Sequence, residues 1–319
     1  MNVLPPITIP TFIQPIVESA VAWFTITFIA IPASVFFVIW DCPKSIWRFF
    51  FNDYPKVILI TGANSGIGAE LVLAYARKNI TIGLIARDKD RLDAVSKACH
   101  KQGATTRIIQ CDITNMEDLS RCIDKFDNEN PIELLIANAA QSGATIDQVE
   151  DSWKRALEVN ITGTLATVVL VYKKMRERKK GQIAITASLA GHFSVPQMIF
   201  YNATKASLIS FARDLRYLAA QHNVKVSVIC PGFIDTRLTN EPGQPITPVP
   251  KIFKASPGSL AKIIQWQLLE NHAEITWPFF EYLPTYATYI LPPRILEVAT
   301  YMAGKFNGFV TGSGDIAWT

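Results

Sequence analysis

A tyrosine and a lysine four residues apart, Tyr201 and Lys205, form the pair of side chains in this sequence best suited to acid–base chemistry. If both lie on one helix, this spacing places them on the same face. A tyrosine hydroxyl can give a proton to the negative charge that develops on a ketone oxygen during hydride transfer. Its unperturbed pKa of about 10 is high for exchange near neutral pH, and a neighbouring cation lowers it. The pair therefore predicts a general acid, Tyr201, assisted by Lys205.

A glycine-rich segment at residues 61–68, TGANSGIG, is the second chemical signal. The apolar, β-branched run 56–60 precedes it and is typical of a strand buried on both faces of a parallel sheet. Apolar residues at helical spacing follow, so the glycines occupy a strand-to-helix turn, where the backbone can approach a pyrophosphate at the positive end of the helix. The segment predicts a dinucleotide pocket. The alternative is a glycine turn that only packs the strand against the helix.

These signals are informative in combination, because a second Tyr-x-x-x-Lys spacing occurs at Tyr301 and Lys305, where no glycine turn adjoins. The glycine spacing G-x-x-x-G-x-G and the Tyr201/Lys205 pair, with Ser188 placed 201 − 188 = 13 residues before the tyrosine, resemble the classical short-chain dehydrogenases/reductases. The resemblance covers about residues 56–236.

The resemblance implies four catalytic residues, Asn160, Ser188, Tyr201 and Lys205. Ser188 would hydrogen-bond the substrate oxygen, Asn160 would hold a water that relays protons to Lys205, and Lys205 would also bind the nicotinamide ribose. One family landmark, Asn-Asn-Ala-Gly, reads Ala-Asn-Ala-Ala at residues 137–140, a change expected to affect local packing and not the chemistry. The implied cofactor pocket consists of Gly62, Asn64, Ser65, Gly66, Ile67, Gly68, Arg87, Asp112, Asn138, Tyr201, Lys205, Pro231, Gly232 and Thr236.

The end of the second predicted strand bears on the choice between NADP(H) and NAD(H). NAD enzymes usually place a carboxylate there to accept hydrogen bonds from the ribose 2′-OH, but Ala86 has none. The Arg87 guanidinium can pair with a 2′-phosphate, and Ser65 adds a hydroxyl. Asp88 is expected to cap the helix that begins at Lys89 and so to point away from the pocket. These residues favour NADP(H), with NAD(H) as the less favoured alternative.

Strand-like and helical runs alternate through most of the chain, which predicts an α/β fold, a Rossmann-like doubly wound parallel sheet of about seven strands. We divide the sequence into an N-terminal membrane anchor with a basic flank (1–50), a reductase core (51–240), and a substrate-loop and C-terminal extension of the same domain (241–319).

The C-terminal extension contains the features expected to contact substrate. Five prolines at residues 241–257 predict a loop or lid, and residues 277–301 are rich in aromatic side chains. Such a segment suits a hydrophobic substrate wall or a surface in the membrane interface. The alternative is ordinary core packing, or packing between the copies of a homo-oligomer.

An uncharged stretch of 22 residues at 19–40 is the main feature of the N-terminal segment. As a helix it would be about 33 Å long, enough to cross a hydrocarbon core of about 30 Å, so it predicts a transmembrane helix. The alternatives are a cleaved signal peptide, a re-entrant hairpin at Pro32 and a core helix. A signal peptide normally begins with basic residues, and residues 1–18 contain no Lys or Arg.

Flanking charge predicts a single-pass topology with the catalytic domain in the cytoplasm. Lys44, Arg48 and Lys56 follow the stretch, and no basic residue precedes it. The five cysteines lack disulfide or metal-ligand spacing, as expected for reduced thiols, and we expect no metal site. Two glycosylation acceptors, at Asn160 and Asn202, lie inside the active-site motifs, where a glycan would block the site.

The net charge of +4 is small and scattered, which excludes a nucleic-acid-binding role. The sequence as a whole predicts a membrane-anchored, NADPH-dependent reductase of an apolar, lipid-like ketone. Similar anchored members of the family act on 3-ketosphinganine, steroids, retinoids and acyl chains. Two alternatives stay open: an anchored reductase of polar envelope or polysaccharide precursors, and a nucleotide-binding relative without turnover. The complete set of four catalytic residues favours activity.

Overall fold

A single parallel sheet organises the protein. The computed structural model describes residues 54–142, 152–192, 198–240 and 254–278. In these ranges seven strands pair in parallel, in the order β3-β2-β1-β4-β5-β6-β7. This confirms the predicted Rossmann-like sheet. The strands are β1 Val57–Thr61, β2 Thr81–Ala86, β3 Thr105–Gln110, β4 Leu134–Ala137, β5 Gly181–Thr186, β6 Val224–Pro231 and β7 Glu274–Trp277.

Helices connect successive strands. They are α1 Gly66–Tyr75, α2 Lys89–Lys101, α3 Met116–Glu129, α4 Ser152–Leu157, α5 Thr164–Arg178, α6 Ile199–Ala220, α7 Arg237–Asn240 and α8 Pro257–Leu269. A π-helical turn, Glu158–Gly163, joins α4 to α5, and a 3-10 turn, Leu189–Gly191, follows β5.

Side-chain caps begin three of the helices. Asp88, Asn115 and Ser256 precede α2, α3 and α8, and in each case a side-chain oxygen accepts a hydrogen bond from the backbone N–H three residues later. Each bond satisfies one of the N–H groups that a helix start leaves without an intrahelical partner. The predicted cap at Asp88 is therefore confirmed.

The apolar residues of the strands supply two separate cores, one on each face of the sheet. Leu59 packs in a cluster with the buried residues of α3, α5 and α6. Its neighbours Ile58 and Ile60 pack on the other face with those of α1, α2 and α8. Successive side chains of a strand point to opposite faces of the sheet. An all-apolar strand therefore needs helices on both faces to cover it, and this is the doubly wound arrangement.

The order of the strands reverses between β1 and β4. From β1 the chain first adds β2 and β3 on one side and then returns to add β4 to β7 on the other. In open parallel sheets ligands bind in the crevice beyond the carboxyl ends of the strands at such a reversal. The glycine turn after β1 and the residues after β4 flank this crevice.

A buried ion pair lies near the amino ends of the central strands β4 and β5, at the end of the sheet opposite the crevice. Asp127 of α3 accepts two hydrogen bonds from the Arg178 guanidinium, at 2.6 and 2.9 Å, and a third from the backbone N–H of Ile132 at 2.9 Å. The Asp127 side chain is 6% exposed. Removing one partner of such a pair typically costs about 3–5 kcal/mol, because the other charge stays buried.

Several predicted features fall outside the described residues. The stretch 19–40 does, and so do most of the proline-rich loop and nearly all of the aromatic segment. Among the described helices, the run Trp153–Arg178 is long and apolar enough to cross a membrane by length and composition. Half of its most apolar window is buried inside the protein, as expected for a helix that packs on the sheet.

Candidate active site

Two glycines after β1 have left-handed backbone conformations. Gly62 has φ +66° and Gly66 has φ +53°. A Cβ on Gly62 would lie 2.9 Å from Cα of Ala139, and one on Gly68 would lie 2.1 Å from the carbonyl oxygen of Gly62. The turn is therefore folded tightly on itself and against the end of β4, which glycine alone permits at these positions.

The turn presents the start of α1 to the crevice. Ser65 is the N-cap of α1, but its side chain makes no capping hydrogen bond. The first N–H groups of the helix, together with its positive dipole end, therefore suit a phosphate group. Asn64, Ser65 and Ile67 line the cleft in front of them. The nearest atom to the missing Cβ of Gly66 is Cγ2 of Thr236, at 3.4 Å, so the residues after β6 adjoin this turn.

The hydroxyl of Thr61 ties the ends of β1 and β4 together. It accepts hydrogen bonds from the backbone N–H groups of Asn138 and Ala139, both at 3.0 Å, and Asn138 Nδ2 donates to the Thr61 carbonyl at 3.3 Å. Ala137 is buried, so the strand end is well packed although its sequence departs from the family pattern. The sequence reasoning did not assign a role to Thr61, which opens the glycine motif.

Tyr201 and Lys205 both lie on α6, as their spacing predicts. The Lys205 ammonium is 5.5 Å from the centroid of the Tyr201 ring, and Nζ donates a hydrogen bond to the carbonyl oxygen of Thr186 at 2.9 Å. Lys205 is almost completely buried, whereas Tyr201 reaches the cleft. The pair therefore places a hydroxyl at the cleft wall with a cation behind it.

Tyr201 and Lys205 both have pKa values shifted from those of exposed side chains, and the tyrosine pKa is raised where the sequence predicted that it would be lowered. Burial raises the pKa of Tyr201 to about 12, and a hydrogen bond with Ser188 lowers it in part. Burial lowers the pKa of Lys205 to about 8, while Cys230 raises it slightly. Desolvation disfavours the charged form of both groups. Burial therefore outweighs the expected lowering of the pKa of Tyr201.

Ser188 follows β5 and caps the 3-10 turn. Its hydroxyl accepts a hydrogen bond from the backbone N–H of Ala190 at 3.2 Å and donates one to the carbonyl of Pro231 at 3.3 Å. Ser188, Tyr201 and Lys205 all line the same cleft. The structure thus brings together three of the four predicted catalytic side chains.

The fourth, Asn160, is fully buried behind them in the π-helical turn. Its side-chain oxygen accepts from the backbone N–H of Gln141 at 2.8 Å, and its amide donates to the Gln141 carbonyl at 2.9 Å and to the Thr204 hydroxyl at 3.2 Å. Thr204 in turn donates to the carbonyl of Tyr201 at 2.8 Å. The Asn160 side chain therefore connects the segment after β4 to the helix that carries Tyr201. Such π-helical turns occur often at functional sites.

Charged side chains gather at the other end of the cleft. Arg87 is 64% exposed, and its NH1 lies 4.0 Å from Asp112 Oδ2. Asp88 points toward the helix that it caps, where its Oδ2 lies 3.0 Å from Nε of Arg91. Ala86, Arg87, Asp88 and Arg91 all line the cleft, so two guanidinium groups, one of them paired with the Asp88 carboxylate, lie beside the end of β2.

Arg155 is a cleft residue that the sequence reasoning missed. Its NH2 lies 2.5 Å from Asp112 Oδ2, and its NH1 donates to the Thr114 hydroxyl at 3.0 Å. Burial tends to raise the pKa of Asp112, but hydrogen bonds from Thr114 and Arg155 offset this, so the pKa lies below its usual value. Asp112 is therefore a carboxylate held in place by α4. No spacing along the chain indicates this pair, because 43 residues separate its members.

The cleft has a volume of about 670 Å³. Of the predicted cofactor and catalytic residues, all line it except Gly68 and Asn160, which lie behind its wall. Pro231 and Gly232 are among the lining residues, and the Gly232 N–H donates to the Trp277 carbonyl at 2.9 Å. The glycine turn, the free start of α1 and the arginines fit a dinucleotide with a pyrophosphate at the centre of the cleft.

Two groups of possible metal ligands occur among the described residues, Cys111–Asp118–Cys122 and His192–Cys230–Glu274. Burial raises the pKa of Cys111 to about 12 and that of Cys230 well above its usual value. Protonated thiols are poor metal ligands. The four cysteines in the described ranges are free thiols.

Residues 56–246 match the short chain dehydrogenase family, and the chain belongs to this family. An uncharacterized oxidoreductase of Myxococcus xanthus is 28% identical over 248 residues, which cover 76% of this chain and 96% of the bacterial protein. The 11-beta-hydroxysteroid dehydrogenase 1A of Arabidopsis thaliana is 31% identical over 203 residues, which cover 61% of this chain and 58% of the plant protein.

Solved structures share the fold. A short-chain dehydrogenase from Sphingobium yanoikuyae in complex with NADPH has a TM-score of 0.64 and 22% identity, covering 82% of this chain and 99% of its own. An NAD+-bound xylitol dehydrogenase has a TM-score of 0.63 and 23% identity, covering 70% of this chain and 97% of its own. The fold thus accommodates either dinucleotide, and the protein is an oxidoreductase of the short-chain dehydrogenase family.

Proposed function

We propose that the protein interconverts a ketone and an alcohol with NADP(H) as hydride carrier, and that Tyr201 is the acid that protonates the substrate oxygen. The observation that carries the proposal is the convergence of Ser188, Tyr201 and Lys205 on one wall of the cleft, with Asn160 behind them. A catalytically silent relative would have no need of all four side chains.

The reaction follows from the positions of these groups. The bound nicotinamide supplies the hydride, or accepts it in the reverse direction. The Ser188 and Tyr201 hydroxyls, which share a hydrogen bond, are placed to donate to one substrate oxygen. Tyr201 then gives its proton to the oxygen as negative charge develops there. The buried Lys205 ammonium favours the tyrosinate that remains, because opposite charges attract more strongly away from water.

Two buried polar contacts keep the acid in position. Asn160 donates to Thr204, and Thr204 donates to the carbonyl of Tyr201, so the turn of α6 that bears the acid is linked to the segment after β4. Both N–H groups of the Asn160 amide donate to protein oxygens, and its side-chain oxygen accepts one hydrogen bond from Gln141. We infer that a relay water, if it is held by Asn160, contacts an oxygen of this residue and not its amide N–H groups.

NADP(H) is the proposed carrier. Ala86 offers no carboxylate to a ribose 2′-OH, and Asp88 is engaged by its own helix. Arg87 and Arg91 line the cleft beside the end of β2, which supports a role in binding a 2′-phosphate. A guanidinium pairs well with phosphate because its planar fork can donate two parallel N–H hydrogen bonds to two of the phosphate oxygens.

We further propose an apolar, lipid-like ketone as the substrate, such as a steroid, a retinoid, 3-ketosphinganine or an acyl chain. Two observations support it: the plant hydroxysteroid dehydrogenase is a relative, and the C-terminal segment is rich in aromatic residues. A membrane location agrees with such a substrate, since apolar ketones partition into the bilayer.

Tyr201→Phe tests the acid. It removes only the hydroxyl, so we expect NADPH affinity close to that of the wild type and a loss of ketone reduction of about 10²- to 10⁴-fold. NADPH oxidation with a panel of steroid, retinoid, long-chain and sugar-nucleotide ketones gives both substrate class and rate. Retention of more than about a tenth of the rate on the preferred ketone would show that another group donates the proton.

Anchoring by residues 19–40 with the domain in the cytoplasm is proposed from the sequence. We expect the full chain to resist carbonate extraction and a chain lacking residues 1–47 to be soluble and to bind NADPH. Protease added outside intact cells should leave the domain whole, whereas protease added to sealed microsomes, whose cytoplasmic face points outward, should digest it. The opposite pattern would reverse the proposed orientation.

A further inference from the structure

Three polar side chains from three different elements meet behind the catalytic wall. Glu274, the first residue of β7, has its Oε1 2.8 Å from Nε2 of His192 and its Oε2 3.0 Å from NH2 of Arg213. The His192 side chain is 2% exposed and that of Glu274 17%. The catalytic chemistry described above uses none of the three.

His192 is connected to the catalytic serine through a short, fully hydrogen-bonded turn. The backbone N–H of Gly191 donates to the carbonyl of Ser188 at 3.0 Å, and that of His192 donates to Leu189 at 2.9 Å. The Ala190 N–H also donates to the Ser188 hydroxyl, so every residue of the turn is linked to another residue of the turn by a hydrogen bond. The His192 backbone and the Ser188 hydroxyl therefore belong to one hydrogen-bonded turn.

The same turn rests on the helix of the catalytic tyrosine. A Cβ on Gly191 would lie 2.7 Å from the backbone carbon of Lys205 and 2.8 Å from the backbone nitrogen of Ala206. Arg213 lies on this helix, about two turns beyond Lys205. The turn that follows Ser188 and the helix α6 pack against each other. Glu274 contacts both of them, the turn through His192 and the helix through Arg213.

The carboxylate is kept charged by these partners. Burial tends to raise the pKa of Glu274, but hydrogen bonds and charges from His192 and Arg213 offset this and place the pKa below its usual value. The thiol of Cys230 also faces the cluster and interacts with both Glu274 and Lys205. Because burial raises its pKa well above the usual value, Cys230 is a neutral spacer between the two charges.

We propose that Glu274 is a positioning residue for the reduction proposed above, on which this inference rests. By holding His192 and Arg213 it sets the spacing between the Ser188 hydroxyl and the Tyr201 hydroxyl. Both must reach one substrate oxygen, and an error of about 1 Å in such an arrangement can cost on the order of 100-fold in rate. The contacts of Glu274 with His192 and Arg213 therefore affect the rate of the chemical step and not the affinity for the cofactor.

Glu274→Gln, compared with Asp127→Asn, is the central experiment. Both changes neutralise one carboxylate of a buried ion pair, but Asp127 lies near the amino ends of β4 and β5, away from the cleft. We expect both variants to melt at a lower temperature. Only Glu274→Gln should lower kcat, by about 10- to 100-fold, with KM for NADPH within about twofold of the wild type. An equal kcat in the two variants would overturn the proposal.

Hydrogen–deuterium exchange gives a readout that needs no substrate. The amides of Ala190 and Gly191 should exchange faster in Glu274→Gln than in the wild type or in Asp127→Asn, because the turn has lost its attachment. Unchanged exchange would overturn the inference. If the wild type reduced none of the ketones, the proposed function would fail, while the exchange rates would still decide the role of Glu274 in holding the turn.

Changes in its two partners test the inference if Glu274→Gln does not fold. Arg213 is half exposed, so Arg213→Met should fold and lower kcat with the KM for NADPH unchanged. His192→Gln keeps a donor of similar reach and should retain more activity than His192→Ala. Equal rates for the two histidine variants, or a wild-type kcat in Arg213→Met, would contradict the proposal.

Discussion

The two ends of the cleft differ in how the protein holds their polar side chains. At the catalytic end, Lys205 and Asn160 are buried and each donates hydrogen bonds to protein oxygens. At the end beside β2, Arg87 is mostly exposed, and Asp112 and Arg155 are about one-third exposed. The same cleft therefore contains one region isolated from water and one open to it.

The difference in burial suits the two ends of the cleft to two different tasks, catalysis and cofactor selection. In the buried region a single charge interacts strongly with its neighbours, so small changes in position or protonation have large effects. In the open region each charge is screened by water and salt, and a preference must be built from several weak contacts. We expect rate to be determined at the first end and cofactor choice at the second.

The largest effect is expected at Lys205. Lys205→Met should reduce ketone reduction by at least the 10²-fold typical of acid–base assistance, and it should weaken cofactor binding if the ammonium also binds the nicotinamide ribose, as the family resemblance implies. Steady-state rates and NADPH titration measure both. Near-normal turnover would mean that burial, and not this cation, sets the chemistry of Tyr201.

The same variant tests the buried charge through stability. Burial lowers the pKa of folded Lys205 to about 8, against 10.5 when exposed, so between these values the unfolded chain binds more protons and wild-type stability rises with pH. Lys205→Met lacks this contribution. Relative to the variant, the wild type should gain up to about 3 kcal/mol in free energy of unfolding between pH 7 and 10.5, measured by urea denaturation without cofactor. A pH-independent difference would show that Lys205 is not desolvated.

Cofactor choice is expected to respond less strongly. Exchanging Ala86→Asp together with Arg87→Leu should weaken NADPH binding by roughly 10- to 150-fold, the value of one charge-assisted contact of about 1.5–3 kcal/mol, and strengthen NADH binding. Fluorescence titration of both cofactors at low and high salt measures this. Because Arg87 is exposed, the wild-type preference for NADPH should shrink as salt is added. Equal affinity for both cofactors in the wild type would contradict the assignment.

The smallest effect is expected at Arg155. Arg155→Met should raise KM for NADPH by about two- to fivefold, in line with the 1 kcal/mol or less of a partly exposed pair, because Asp112 would then attract Arg87 away from the 2′-phosphate. The rate constant kcat should stay the same. Arg121→Met removes an exposed ion pair of the same type outside the cleft and serves as the control. A fall in kcat in Arg155→Met would contradict the proposal that rate is determined at one end of the cleft and cofactor choice at the other.

Local signals were read correctly from the sequence. The glycine turn, the helix that places Tyr201 beside Lys205 and the Asp88 cap are all found in the structure. Each depends on interactions between residues at most a few positions apart, which a spacing in the chain represents directly. The parallel sheet followed from the same kind of signal, since all-apolar strands alternate with helices.

Contacts between residues far apart in the chain could not be predicted from short sequence spacings. Arg155 meets Asp112, Thr61 meets Asn138, and His192 meets Glu274, each between elements far apart in the chain. Polar residues of these types are common on surfaces, so no pattern distinguishes those that the fold brings together. The pKa of Tyr201 is a further case, because it depends on how much protein surrounds the ring.

The amino-acid sequence by itself determined the family, the strand-to-helix turn and the identities of the candidate catalytic groups, because these are encoded in residue type and short spacing. Only the tertiary structure decided that Asn160 lies behind the cleft wall, that Asp112 is held by Arg155, and that burial sets the protonation of Tyr201 and Lys205. The physical reason is that burial and electrostatic environment are created by packing of distant segments, and they exist only once the sheet and its helices have assembled.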